Sequence, residues 1–142
     1  MPAAAARSIP RTVTLANLVG DVGDPRATHD LTASAIAARW AAAGPDAAPR
    51  GVVGMAADGA VDIDLVRDGP HGLVAGTTGV GKSEFLRTLV TSLAVQCPPT
   101  QLSFVLVDYK GGATFDACAH LPHVVGVVTD LDDQLADRAL RS

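Results

Sequence analysis

The chain has 142 residues, 48% of them hydrophobic and 18% charged, with a formal net charge of −4. That composition supports one folded domain and excludes a disordered tail, which would be poorer in apolar residues and richer in charge. No apolar run approaches a membrane span of about 20 residues, Met1–Pro10 lacks the pattern of a signal peptide, and no run of arginines forms a nucleic-acid footprint.

The first nine residues read as a loose, Ala-rich tail. Thr12–Val19 is apolar but short, and Gly20, Gly23 and Pro25 break it. Leu31–Ala43 has helical spacing in Ile36, Trp40 and Ala43, with Asp30 placed to cap its start and Gly44-Pro45 to stop it. Trp40 is expected in a core. Val52–Met55 and Val61–Leu65 flank Ala57-Asp58-Gly59, the pattern of a hairpin.

Beyond the hairpin the pattern becomes strand, loop and helix in alternation. Leu73–Ala75 is an expected strand before a Gly-rich loop, and Lys82–Val95 an expected helix with Leu86, Leu89, Val90 and Leu93 on one face. Pro98-Pro99 ends it. Leu102–Val107 and Val124–Val128 are continuous apolar runs of the kind found in parallel sheets buried on both faces. A last helix is expected from Thr129 or Asp130, with Leu131, Leu135 and Leu140 on one side and no stop signal before Ser142. The alternation implies a parallel α/β sheet, and the thin sheet and interrupted helix read as a fragment.

Residues Gly76-Thr77-Thr78-Gly79-Val80-Gly81-Lys82-Ser83 match the phosphate-loop pattern G-x-x-x-x-G-K-[ST] in its required place, after an apolar strand and before an amphipathic helix. Glycines let consecutive backbone N–H groups turn toward a phosphate, and the following helix adds its positive end. Lys82 is the candidate ligand of the β- and γ-phosphates. Ser83 is the candidate hydroxyl for Mg²⁺.

Residue counts prune the class. Of 11 basic residues only Lys82 and Lys110 are lysines, and of 15 acidic residues only Glu84 is a glutamate. GC-rich coding gives such a skew, so position rather than scarcity carries information. Lys110 is followed by Gly111-Gly112-Ala113, so the guanine-reading Asn/Thr-Lys-x-Asp segment is missing and ATP is favoured. Asp108 follows an apolar run as a magnesium-holding acid would, Asp130 after Val127-Val128-Thr129 fits less well, and neither is followed by Glu. A complete hydrolytic site is not visible, and no catalytic residue is assigned.

Four segments carry a family resemblance. They are Gly69–Gly76 running into the loop, Val107-Asp108-Tyr109-Lys110, Leu121-Pro122-His123, and Val128-Thr129-Asp130. In these, from about Gly51 to Ser142, the sequence resembles the FtsK/SpoIIIE family of ring-forming motor ATPases in the HerA/FtsK group. The resemblance implies a P-loop (RecA-like) parallel sheet over residues 51–142, incomplete at its C terminus. Residues 1–50 form a variable lead-in with one helix. It further implies ATP and Mg²⁺ as cofactors, a homo-hexamer in the intact protein, and a cytoplasmic chain whose parent protein could be membrane-anchored.

One branch of the family pumps double-stranded DNA, and the other powers type VII protein secretion (EccC-like). Lys110–Phe115 and Gly81–Thr88 look like the secretion branch, while Gly76–Gly79 and Val128–Asp130 look like the DNA branch. DNA translocation is the leading expectation. Secretion of protein, or a nucleotide-gated docking module without turnover, stands as the alternative. The resemblance places Asp108 one strand before the magnesium-acid strand, and makes Lys110 a candidate for a loop near the nucleotide or a ring neighbour.

Two cysteines, Cys97 and Cys118, fit a reducing compartment without a disulfide framework. Cys118, His120 and His123 have poor spacing for zinc and no fourth partner nearby. A structural role is expected for His123, and a positional one for His71.

Overall fold

The computed structural model describes residues 11–19, 31–45, 48–108 and 114–129. Met1–Ile9, Asp30, Tyr109, Lys110 and the helix expected beyond Thr129 lie outside these residues. The described elements make a mixed α/β structure with two small sheets, and one helix lies at its centre.

Helix α1, Leu15–Val19, occupies the apolar stretch that the pattern left unassigned. Thr14 and Asn17 cap it reciprocally, the Asn17 N–H donating to Thr14 Oγ1 at 3.3 Å and the Thr14 N–H to Asn17 Oδ1 at 3.1 Å. Helix α2, Ala33–Ala42, starts two residues later than expected. Its cap is Thr32, whose Oγ1 accepts the Ala35 N–H at 3.3 Å.

Strands β1, Arg50–Ala56, and β2, Gly59–Asp64, form the expected antiparallel hairpin. A bulge at Val53 interrupts the register between the Val52–Asp62 and Gly54–Val61 pairs. Helix α3, Lys82–Gln96, follows the loop and covers the hairpin. Gly51 allows a close approach there: a Cβ at that position would lie 3.0 Å from Leu89 Cδ1 and 3.1 Å from Leu93 Cγ. The Val52 N–H donates to the buried Ser92 Oγ at 2.7 Å, so the helix satisfies a strand amide beside the bulge.

Strands β3, Phe104–Val107, and β4, Val124–Val128, pair in parallel, joined through a 3-10 turn at Asp116–Cys118. Val90 of α3 meets this sheet in a cluster with Leu106 and Cys118, walled by Phe104, Phe115, Leu121, Val124 and Val127. The apolar face expected on α3 is therefore two faces. Leu89 and Leu93 look to the hairpin, and Val90 looks to the parallel pair.

Two expectations need correction. Leu73–Ala75 is not a strand: no ladder includes it, and Leu73 is 94% exposed. A three-residue segment holds extended geometry only against a neighbour, and β3 pairs with β4 alone among the described residues. The runs in β3 and β4 are also not buried on both faces. Val105 is 59% and Val125 69% exposed, because among the described residues the packing of α3 and the 3-10 turn is onto the Leu106 side.

Candidate functional site: the loop before α3

The loop from Gly76 to Gly81 is shaped by two glycines with positive φ, Gly79 at 84° and Gly81 at 94°. Both angles lie in the left-handed region that side chains rarely adopt. Gly81 is the N-cap of α3, and no side chain caps that end. The first-turn N–H groups of a 15-residue helix are thus left open to an external acceptor.

Lys82 stands at the first position of α3, with its side chain folded back over the loop. Its Nζ donates to the Gly76 carbonyl at 2.6 Å and to the Thr77 carbonyl at 2.8 Å. Val80 leans over Gly76, so that a Cβ on Gly76 would lie 2.6 Å from Val80 Cγ2. Thr77, Thr78, Gly79 and Val80 are exposed, and Ser83 follows Lys82 half-buried in the first turn. The Lys82 ammonium lies on this exposed loop, and the open N–H groups and Ser83 belong to the helix turn that follows it. The chemistry of that set suits a polyphosphate anion with its divalent cation.

Glu84, the sole glutamate, points away from a catalytic role. It is largely exposed, pairs with Arg87 one turn along α3, and sits where an acidic residue favours the helix start. Asp108, buried at the end of β3, accepts the Thr114 N–H on Oδ2 at 3.0 Å, and its own N–H donates to the Val128 carbonyl at 2.8 Å. It thereby ties Thr114 to the end of β3. Tyr109 and Lys110 lie outside the described residues.

The Cys118, His120 and His123 trio is spread over separate contacts. His120 is exposed, the Cys118 thiol lies 3.9 Å from Thr91 Oγ1, and His123 Nε2 is 2.7 Å from the Cys97 carbonyl. Burial pushes the Cys97 thiol above its usual range. His71 is exposed beside the loop's lead-in.

A profile described as the FtsK/SpoIIIE family matches residues 37–142. The chain belongs to the FtsK/SpoIIIE family. Among relatives, it is 45% identical over 96 residues to the type VII secretion system protein EssC of Staphylococcus aureus, a stretch covering 68% of this chain and 6% of EssC. It is 48% identical over 89 residues to the ESX secretion system protein EccC of Thermomonospora curvata, covering 58% of this chain and 7% of EccC. The solved cytoplasmic domain of the T. curvata type VII secretion ATPase EccC superposes with a TM-score of 0.61 at 43% identity, covering 70% of this chain and 12% of that one. The chain thus spans a small part of the FtsK/SpoIIIE relatives it matches. Among the described residues, no helix is long and apolar enough to cross a membrane.

Trp40, expected in a core, is only half-buried, and neither its bond to α3 nor that of Ser92 to β1 was expected from the sequence. Trp40 donates its Nε1–H to the Ala94 carbonyl at 3.0 Å, and Ser92 anchors β1. Nothing local signals either one, because their partners lie 54 and 40 positions away.

Proposed function

We propose that this chain is the nucleotide-binding part of a type VII secretion-type motor ATPase, taking ATP with Mg²⁺ at Gly76–Ser83. The observation that carries the reading is the loop itself: left-handed Gly79 and Gly81 opening onto an uncapped α3, with the Lys82 ammonium folded over the same loop. On this reading backbone N–H groups from the loop and the first turn of α3 hold the phosphates. Lys82 leaves the Gly76 and Thr77 carbonyls for the β- and γ-phosphate oxygens. Ser83 would offer its hydroxyl to Mg²⁺, which when bound would supply neutralisation of phosphate charge.

Protein rather than DNA is the polymer this reading assigns to the parent motor. The relatives' names, EssC and EccC of type VII secretion, support it over the DNA-pumping branch. Residues 51–142 form the ATPase-type unit behind the lead-in 1–50, on the cytoplasmic side. The working assembly is a homo-hexamer with nucleotide at subunit boundaries.

For the chain alone the reading is binding without turnover. Its one glutamate is engaged with Arg87 on the outside of α3, so no carboxylate of that kind is free to orient water. The experiment is paired: calorimetric titration with Mg²⁺–ATP and a steady-state ATPase assay, on the chain and on Lys82→Ala. Binding lost in Lys82→Ala, with negligible turnover in both, supports the reading. Absence of binding by the unaltered chain refutes it, and robust turnover that Lys82→Ala abolishes refutes the binding-only part.

A further inference from the structure

We propose that Trp40 and His123 are positioning residues for the nucleotide site, acting through α3 from its far end; this rests on the reading of Gly76–Ser83 given above. The last carbonyls of a helix have no partner within it. In α3 the Leu93 carbonyl accepts the Cys97 N–H at 2.9 Å. The next carbonyl, of Ala94, accepts the indole N–H of Trp40 from α2. The Cys97 carbonyl just past the end lies 2.7 Å from His123 Nε2, from the turn before β4. Two rings from distant parts of the chain therefore cap one helix end.

The rings also meet each other. Trp40 and His123 stand edge to face with centroids 5.4 Å apart, and the Phe104 ring lies 6.0 Å from His123, tilted at 43°. His123 is 1% exposed, and its Nδ1 is buried without a partner, so the ring is held at Nε2 and by its aromatic neighbours. Its backbone carbonyl accepts the Phe104 N–H at 2.8 Å, tying the same residue to the start of β3.

From that tie β3 runs back along α3, with Leu106 reaching Val90 midway along the helix. His123 thus sets the axial register of α3 against β3. A helix of 15 residues is about 22 Å long and stiff, so a slip at the Trp40 end carries through to Lys82 and Ser83. The clamp fixes where the first turn of α3 stands relative to Asp108 at the far end of β3.

The test uses the full 142-residue chain. Trp40→Phe keeps a ring and removes the N–H, His123→Gln keeps a donor for the Cys97 carbonyl, and His123→Ala removes it. The affinity of Mg²⁺–AMP-PNP is measured by calorimetry, the Gly79 and Gly81 amide shifts by NMR, and the fold by circular dichroism. Expected are a folded Trp40→Phe with affinity down roughly fivefold, the scale of one ordinary hydrogen bond, displaced Gly79 and Gly81 shifts, and His123→Gln closer to the parent than His123→Ala.

Unchanged affinity and shifts in Trp40→Phe and His123→Gln, with only the melting temperature lowered, would overturn the proposal and leave a merely structural cap. If His123→Ala fails to fold, those two variants decide the matter. Should the unaltered chain bind no nucleotide, the function reading falls and the nucleotide-positioning role with it; the glycine shifts then judge only the coupling of the far end of α3 to the Gly76–Gly81 loop, which displaced shifts uphold and static ones overturn.

Discussion

The Lys82 ammonium and the Gly76 carbonyl lie 2.6 Å apart, six residues apart in sequence. The residue assigned to grip a phosphate instead grips its own loop, and the Thr77 carbonyl shares it at 2.8 Å. On the proposed reading, phosphate oxygens would compete with these two carbonyls for one ammonium. The full negative charge of the phosphates would favour them, since a carbonyl offers the ammonium only a dipole.

Lys82→Ala is expected to weaken Mg²⁺–ATP binding by tenfold or more while leaving the fold intact. A hydrogen bond to a charged group is worth about 1.5–3 kcal/mol, and the lysine's contacts are all to an exposed loop. Calorimetry read beside a thermal melt separates the two effects.

Gly76→Ala is expected to impair nucleotide binding, since its Cβ would collide with Val80 Cγ2 at 2.6 Å. Val80→Ala removes the obstructing methyl. The double variant should therefore recover affinity, and a double-mutant cycle on dissociation constants measures that coupling. Additive losses would contradict the contact.

Ser92→Ala is expected to destabilise the chain by about 1–3 kcal/mol, the cost of leaving a buried donor unsatisfied. The donor is the Val52 N–H, which has Ser92 Oγ at 2.7 Å beside the bulge in β1. Urea unfolding reads this as a lower midpoint with an unchanged slope.

The turn after β2 gives a pH prediction. Arg67 pairs with Asp68 at 2.8 Å and the Asp64 N–H donates to Asp68 Oδ2 at 2.9 Å. Together, the arginine first, they hold the Asp68 carboxyl down at about 2. A depressed folded value stabilises above the unfolded value of about 3.9, and that contribution fades as pH falls through about 2. The melting temperature of Asp68→Asn should lie below the parent's at pH 7 and converge with it near pH 2. The gap should shrink in high salt, since these charges face solvent.

Val105 and Val107 alternate onto the side of β3 away from the buried Leu106 and are exposed, as is Val125 at the register shift in β4. Val105→Thr with Val125→Thr should cost little stability, because neither side chain is buried, and should reduce self-association at high concentration. Sedimentation velocity over a concentration series checks both the monomer and any larger species.

Local features were legible because their causes are local. The hairpin followed from Asp58-Gly59 between alternating apolar residues, and α3 from its loop and apolar spacing. β4 matched at both ends, bounded by Pro122-His123 and Thr129. Asp30 was expected to cap α2, but the helix starts two residues later and its cap is Thr32. Leu73–Ala75 has strand-like residues, but a strand also needs a ladder partner, which no local pattern reports.

The scarcity of lysine and glutamate, the phosphate-loop signature and the family segments were determined by sequence alone, since each is a matter of residue identity and spacing. Only the tertiary structure decided that α3 divides its apolar residues between two sheets, that Lys82 rests on its own loop, and that Trp40 and His123 cap the far end of α3. The physical reason is range. Helical periodicity and turn chemistry act over about four residues, whereas the Trp40–Ala94 bond joins groups 54 positions apart that only chain folding brings together.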